Sequence, residues 1–141
     1  FLRFGLEGLK KRNLQDLSGG EKQRLALCVA LGKEADYYFL DEPTKGMDAK
    51  SKKIFGELLK EWTKMEKSIV MVSHDMEFTA KYADEISLLY QGEIIVQCPV
   101  REFMEENQFY TTGMNRVTRR VNPHIITIED VKKYAKRKNS Q

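Results

Sequence analysis

The sequence feature that most constrains the fold is LSGGEKQR at residues 17–24, followed directly by the apolar run LALCVAL. Ser18 precedes Glu21 by three residues, which is the arrangement of a helix capping box. The apolar run predicts a helix that is buried on nearly all sides, and Gly32 provides a stop. Two glycines behind the cap leave backbone N–H groups at the positive end of the helix dipole, where a phosphate oxygen fits. The segment therefore predicts either an ordinary capped helix or a phosphate contact.

Two short apolar runs predict strands that end in polar residues. Residues 37–40 run into the sequence DEP, and Ser68–Val72 runs into SHD. The alternation of these runs with helical patterns predicts an α/β fold, in which a parallel sheet is flanked by helices and both faces of each strand are covered. Ligands of such sheets bind beyond the carboxyl ends of the strands. One candidate site therefore contains Asp41, Glu42 and His74.

The chemistry of these side chains suits a phosphate site, although each has a simpler explanation. A carboxylate at a rigid strand end, such as Asp41, is a suitable anchor for Mg²⁺, and the adjacent Glu42 could activate a water molecule. His74 could contact a terminal phosphoryl group. Alternatively, Asp41 is a capping residue beside a surface glutamate, His74 is an ordinary hydrogen-bonded histidine, and Asp48 only caps the next helix.

The remaining segments predict short elements joined by turns. Residues 108–122 are polar and predict an irregular segment. The predicted elements are a helix after Asp48, a helix at 76–83, a hairpin of 86–90 with 93–97, a helix from Pro99 to about Asn107, a small strand at 125–128 and a helix at 128–137.

The composition, 41% hydrophobic and 32% charged, is that of a soluble globular protein, and no apolar run approaches the ~18–20 residues of a membrane span. No secretion pattern is present at the first residues, so a cytosolic location is expected. The two cysteines show no metal-ligand spacing and are expected to be reduced. The net charge is +3, and the excess of Lys and Arg lies near the end of the chain. These basic residues form either a solvated helix face or a surface that contacts nucleic acid or anionic lipid.

In their order and separation, LSGGEKQR, YYFLDEPTKGMD and SHD resemble the second half of an ABC-type ATPase domain. Residues 17–21 match the ABC signature and residues 37–42 the Walker B strand with its catalytic glutamate. Residues 43–48 match the D-loop, and His74 matches the switch histidine. The resemblance covers roughly residues 9–97, with Glu21 where many members have glutamine.

The resemblance implies a partial P-loop NTPase (RecA-like) fold with ATP and Mg²⁺ as ligands, and a second ABC domain as partner in a homodimer or heterodimer. The residues that would contact the γ-phosphate of a nucleotide bound mainly by that partner are Ser18, Gly19 and Gly20. Glu21, the last residue of the signature, belongs to the same nucleotide-binding set. Asp41 would hold Mg²⁺ through water, and Glu42 would be the general base. His74 would sense the γ-phosphate, and Asp48 would couple the two sites.

The Walker A motif GxxxxGK[ST] does not occur in the 141 residues. The chain is therefore predicted to carry the signature and catalytic part of the domain without the part that holds nucleotide. We expect it to bind ATP weakly or not at all by itself, and to cover exposed strand edges and apolar faces by repacking or oligomerisation.

The last part of the chain gives a looser subfamily resemblance. The segments CPVREFMEEN, FYTTGMNRVTRRVNP and IITIEDVKKY resemble the carboxyl-terminal extension of the ATPases that energise energy-coupling-factor and cobalt-type importers. This resemblance divides the chain into a part of the ABC domain at 1–107 and an extension at 108–141. It implies ATP-driven uptake of vitamins, cobalt or nickel by an ATPase that docks on transmembrane subunits at the inner face of the cell membrane, without entering the bilayer or binding nucleic acid.

Two other functions remain open from the sequence. A soluble ABC ATPase acting on DNA or ribosomes would have coiled-coil heptads before the signature, and the few residues upstream of Leu17 show none. A non-catalytic interaction module is the third possibility. It has no need for Asp41, Glu42 and His74 together.

Overall fold

The computed structural model describes residues 6–9 and 11–138. The chain divides into two compact units, Phe1–His74 and Asp75–Gln141. The first unit has two short 3₁₀ helices, Glu7–Leu9 and Leu14–Asp16, followed by α1 (Gly19–Leu31), β1 (Tyr37–Asp41), α2 (Ala49–Lys64) and β2 (Ser68–Val72).

The sheet of the first unit consists of β1 and β2, which pair in parallel with Tyr37 opposite Ser68 and Asp41 opposite Val72. On one face Tyr38 is buried and stacks on Trp62 of α2, with ring centroids 4.5 Å apart. On the other face Phe39 is 77% exposed. The parallel pairing was predicted correctly, but the prediction that both faces are covered is wrong. The helices that the structure describes here cover one face of an alternating strand.

Helix α1 begins at the predicted cap and ends at Gly32, but its predicted burial on all sides is wrong. Leu27 and Leu31, one turn apart, are buried, whereas Val29 on another side is 57% exposed. Within this unit only one side of the helix is buried. The run therefore contains more apolar residues than the described part of this unit buries.

The second unit begins with α3 (Met76–Tyr82) and the antiparallel hairpin of β3 (Glu85–Tyr90) and β4 (Glu93–Pro99). At the predicted turn, Gln91 and Gly92 have φ angles of 49° and 86°. Two consecutive positive φ values characterise the tight hairpin turn that matches strand twist. The helices that follow are α4 (Val100–Glu106), α5 (Gly113–Thr118) and α6 (Ile128–Lys138).

The core of the second unit is small and apolar, and polar side chains complete it. Val100, Met104 and Ile126 form its centre, with partly buried residues of α3 and β3 around them. Asn115 is fully buried, and its side-chain amide donates to the carbonyl oxygens of Pro123 and Ile125 at 2.7 and 3.0 Å. These bonds satisfy polar groups that burial removes from water.

Two sequence predictions for this unit are wrong. The segment expected to be irregular contains α5, which Thr112 caps by accepting a hydrogen bond from the backbone N–H of Asn115. No strand forms at 125–128. Side chains bind the carbonyl groups there, since Asn115 donates to Ile125 and the Thr112 hydroxyl donates to Ile126. A strand ladder would need those groups.

Among the described residues, no helix is both long and apolar enough to cross a bilayer.

Candidate functional site

The ends of β1 and β2 bring the three polar residues of the sequence prediction together. Asp41 is the last residue of β1, opposite Val72 at the end of β2. The backbone N–H of Glu42 donates to the carbonyl oxygen of Val72 at 2.9 Å and so extends the ladder by one residue. His74 Nε2 lies 3.6 Å from Glu42 Oε1. Parallel pairing therefore places both side chains at the same edge of the sheet.

Glu42 has an unusual backbone and an unpartnered side-chain oxygen. Its φ angle is 44°, which lies in the left-handed region of backbone conformations. Residues other than glycine, asparagine and aspartate rarely adopt this region. Its Oε1 is buried and has no hydrogen-bond donor among the described residues. A buried carboxylate oxygen without a donor is suited to accept a hydrogen bond from a water molecule or ligand.

The other two members of the cluster are open to solvent. The side chain of His74 is 93% exposed, and Asp41 is exposed at the end of its strand. Both could therefore contact a ligand outside the sheet edge without rearrangement of the core.

The start of α1 contains the predicted capping box. The backbone N–H and the hydroxyl of Ser18 both donate to Glu21 Oε2 at 2.8 Å, and the Glu21 N–H donates to the Ser18 hydroxyl oxygen at 3.3 Å. The hydrogen bonds from the Ser18 hydroxyl and backbone hold the pKa of Glu21 below its usual value. An ionised carboxylate therefore occupies the donors of Ser18.

The two glycines of the signature have different surroundings. Around Gly19 there is open space, since a Cβ atom built there would meet nothing within 4 Å. A Cβ atom at Gly20 would lie 2.7 Å from the carbonyl oxygen of Gly46. Gly46 itself has a φ angle of 73°. Gly19 thus remains accessible to a ligand, whereas Gly20 allows the backbone of α1 to approach the loop that follows Glu42.

Asp48 caps α2 and lies near a cation from α1. Its Oδ1 accepts from the Ser51 N–H at 2.7 Å, and its Oδ2 is 4.0 Å from Arg24 Nη1. The hydrogen bonds from the backbone and hydroxyl of Ser51 lower the pKa of Asp48, and the charge of Arg24 adds to this effect. Arg24 Nη1 also donates to the Ser51 hydroxyl at 2.9 Å.

Sequence reasoning missed Gln23 and Arg24 as members of the site. Gln23 Nε2 donates to the carbonyl oxygens of Glu42 and Pro43 at 3.5 and 3.4 Å. Helical spacing could have indicated them, because they follow Gly20 by three and four residues and precede the buried Leu27 by four and three. The inward side of α1 is therefore polar at the end near Glu42 and apolar farther along.

Within the described part of the chain, no group of three or more His, Cys, Asp or Glu side chains is arranged to hold a metal ion. The donor set that Asp41 offers, an exposed carboxylate at a strand end, suits Mg²⁺ held mainly by water and substrate oxygens.

The comparison with protein families is consistent with this geometry. Residues 1–45 match the family model of the ABC transporter. A protein of Bacillus thuringiensis named as an ABC transporter ATP-binding protein is 46% identical over 129 residues, which are 92% of this chain and 23% of that protein.

Solved structures of ABC proteins superpose on this chain. An archaeal ribosome recycling factor, aABCE1, in complex with the ribosomal stalk protein aP1, superposes with a TM-score of 0.64 at 26% identity, covering 74% of this chain and 22% of that chain. A dimeric ATP-binding cassette in a post-hydrolysis state, bound to ADP and Pi, gives 0.63 at 29% identity, covering 67% of this chain and 41% of that chain. The fold is that of part of an ABC ATPase domain.

The ABC relatives are much longer than this chain, which spans about a quarter of the first curated relatives it matches, 23% of the length. The cobalt and energy-coupling-factor subfamily does not appear in the names of these relatives.

Proposed function

We propose that the chain supplies the signature and the catalytic residues of an ABC ATPase that drives import across a membrane, of the energy-coupling-factor or cobalt type. One observation carries the proposal. Glu42 Oε1 lies 3.6 Å from His74 Nε2 at the carboxyl edge of two parallel strands, and Asp41 is the last residue of β1 at that same edge. A phosphate-handling site at that edge requires a metal anchor, a base and a polar contact for the terminal phosphate.

Glu42 is the general base in this proposal. Its Oε1 is buried and lacks a donor among the described residues, so it can accept a proton from a water molecule aligned with the γ-phosphate. His74 lies on the solvent side of this oxygen, where an imidazole N–H can donate to a phosphate oxygen. The two side chains would therefore act on the same water and phosphate.

Asp41 is the proposed anchor for Mg²⁺, through water molecules. Bound Mg²⁺ supplies neutralisation of the negative charge on the phosphate oxygens. Asp41 is exposed at the strand end, and its position is fixed by the pairing of β1 with β2.

The signature residues Ser18, Gly19 and Gly20, with Glu21 beside them, would face a nucleotide held by a second ABC domain. Gly19 has open space around it, and the first turn of α1 presents backbone N–H groups there. The hydroxyl of Ser18 has one proton, which it donates to Glu21 in the capping box. A phosphate oxygen would compete with the Glu21 carboxylate for the hydrogen bond from this hydroxyl. Asp48, at the start of α2, would couple the two sites.

The importer assignment is supported by the carboxyl-terminal segments and by the transporter names of the curated relatives. In this proposal residues 1–107 complete the ABC part and residues 108–141 form the extension. The partners would be a second ABC domain and transmembrane subunits, which would place the ATPase at the inner face of the membrane.

The test uses the Bacillus thuringiensis relative with this chain in place of the 129 matching residues. We expect ATP hydrolysis from this protein and none from the chain alone, which has no Walker A motif. The Glu42→Gln variant is expected to lower kcat by about 10²- to 10⁴-fold, the usual contribution of a general base. Glu34→Gln, the same change at an exposed position, is expected to retain full activity. Equal kcat for Glu42→Gln and the unsubstituted protein would refute the role of Glu42.

A second candidate function is a soluble ABC ATPase that acts on ribosomes or DNA. The structural similarity to the archaeal ribosome recycling factor favours it. Sedimentation of the same protein with ribosomes, and stimulation of its ATPase by them, would support this candidate. Stimulation by reconstituted transmembrane subunits, with no response to ribosomes or DNA, is the result expected for an importer.

A further inference from the structure

We propose that Gln23 is a positioning residue for the carboxylate of Glu42, a role that rests on the proposed function. Gln23 lies on the half-buried side of α1. Its side-chain N–H₂ reaches the carbonyl oxygens of Glu42 and Pro43, at 3.5 and 3.4 Å. Gln23 donates to the backbone that carries the proposed base, whereas the buried Oε1 of Glu42 accepts no hydrogen bond from it.

The backbone at Glu42 requires support because its conformation is unfavourable. The φ angle of 44° costs on the order of 1 kcal/mol for a residue of this type, so the conformation persists where surrounding contacts determine it. The N–H of Glu42 is held by the carbonyl oxygen of Val72, and its carbonyl oxygen accepts from the N–H of Lys45 at 3.1 Å. Gln23 adds a donor from a different element, which ties this turn to α1.

Helix α1 is well placed to deliver that donor. Gly20 brings the helix backbone against Gly46, and Arg24 Nη1 binds the Ser51 hydroxyl at 2.9 Å on the far side of the loop. Gly20 and Arg24, which precede and follow Gln23, therefore hold α1 against the loop and against the start of α2. The Gln23 side chain spans the gap in between.

The direction of the Glu42 side chain follows its backbone. Rotation about φ or ψ turns the Cα–Cβ bond, and displacement of a catalytic group by about 1 Å can cost 10²-fold in rate. Loss of the Gln23 donor would leave the Glu42 carboxyl group present but less often aligned. The expected signature is a lower kcat with an unchanged KM for ATP.

The experiment compares two substitutions in the longer ABC protein described above. Gln23→Glu keeps the shape and removes the N–H donors, and Gln23→Met removes the donors without adding charge. We expect both to lower kcat about tenfold or more with KM changed less than twofold, in line with a misplaced base. The matched control Gln15→Glu makes the same chemical change at an exposed position and is expected to have no effect.

A double-variant cycle separates positioning from general destabilisation. In the Glu42→Gln background there is no base to align, so Gln23→Met is expected to lower the residual rate no further. A further loss as large as in the unsubstituted background would overturn the proposal. So would full kcat for both Gln23 variants. No hydrolysis by the unsubstituted protein would instead overturn the proposed function, and this role with it.

Hydrogen exchange on the chain itself gives a readout that does not depend on activity. The Glu42 amide, bonded to Val72, is expected to exchange at least several-fold faster in Gln23→Met, with the amides of β1 before it little changed. Unchanged exchange at Glu42 would contradict the proposal. Loss of protection along the whole of β1 would also contradict it, because Gln23 would then support the fold and not the turn.

Discussion

At the scale of single residues, Gly19 and Gly20 are adjacent, yet their surroundings require glycine at one of them only. The space beside Gly19 is open, whereas Gly20 lies against the backbone of Gly46. Backbone atoms cannot move aside as the end of a flexible side chain can. The close approach of α1 to the loop therefore depends on the absence of a side chain at Gly20.

This difference predicts unequal effects of alanine at the two positions on the free energy of unfolding. Gly20→Ala would place a Cβ atom 2.7 Å from the Gly46 carbonyl oxygen, so we expect a loss of about 1–3 kcal/mol in the free energy of unfolding. Gly19→Ala is expected to change it by less than about 0.5 kcal/mol. Urea denaturation followed by circular dichroism measures both. Equal effects of the two substitutions would contradict the packing described for Gly20.

The sequence predicted the cluster of Asp41, Glu42 and His74, because parallel strands place their carboxyl ends at one edge whatever else surrounds them. It did not predict the left-handed backbone of Glu42 or the contact from Gln23. Both depend on the approach of α1 to the loop, a tertiary contact that has no local sequence signal. The hydrogen bonds of Ser18 with Glu21 are local, at a separation of three residues, and were predicted from the sequence alone.

At the scale of elements, the start of α6 is held by one carboxylate. Asp130 Oδ2 accepts from the N–H groups of Ile126 and Thr127 at 3.2 and 2.9 Å, and from the Thr127 hydroxyl. Arg101 Nη1 is 3.4 Å from the other oxygen. Burial by itself raises the pKa of Asp130, but the hydrogen bonds from Thr127 and Ile126 and the charge of Arg101 outweigh it, and the pKa lies below its usual 3.8.

This lowered pKa predicts how stability depends on pH. A carboxylate with a lower pKa in the folded state stabilises the fold above its unfolded pKa, and the contribution is lost as pH falls through the folded value. We expect the urea midpoint of the second unit to fall as pH is lowered through and below 3.8. Asp130→Asn is expected to be less stable at pH 7 and to show a shallower fall. The control Asp16→Asn, at an exposed position of the first unit, should keep the slope of the unsubstituted protein.

Element boundaries were predictable where a local signal marks them. Asp48 caps α2, and the positive φ values of Gln91 and Gly92 form the hairpin turn at the predicted place. Helix α5 was missed because its six residues include a glycine and polar side chains, and the buried Asn115 stabilises it through distant carbonyl groups. Local patterns indicate caps and turns well, but they do not reveal a short helix stabilised by side-chain bonds across a loop.

At the scale of the whole chain, several apolar side chains of the sheet remain in contact with solvent, although the strand patterns predicted that both faces are covered. The open face of the β1–β2 sheet carries Phe39, Val70 and Val72, with exposures of 77%, 54% and 59%. Contiguous apolar residues on a sheet face favour association with another surface. The strands are as apolar as buried strands are, which is why the sequence predicted burial. Burial of the second face also requires another element to cover it, and the strand sequence does not reveal whether one does.

This face predicts concentration-dependent self-association of the chain. Replacing Phe39 and Val70 by threonine removes apolar area and keeps residues that suit a strand. We expect the double variant to shift the sedimentation profile toward the monomer, with its stability changed by less than about 0.5 kcal/mol because both side chains are exposed.

The control for this experiment is Leu14→Thr, at an apolar position that is 65% exposed outside the sheet. It is expected to associate as the unsubstituted chain does. A chain that sediments as a monomer at every concentration would contradict the prediction that the sheet face drives association.

The conformation of Glu42 has a consequence for engineering. Its φ angle of 44° favours glycine or asparagine, neither of which can serve as the proposed base. Selection for heat resistance alone would therefore tend to discard the carboxylate, and selection for turnover would restore it. At this one position, durability and chemistry make opposite demands on the side chain.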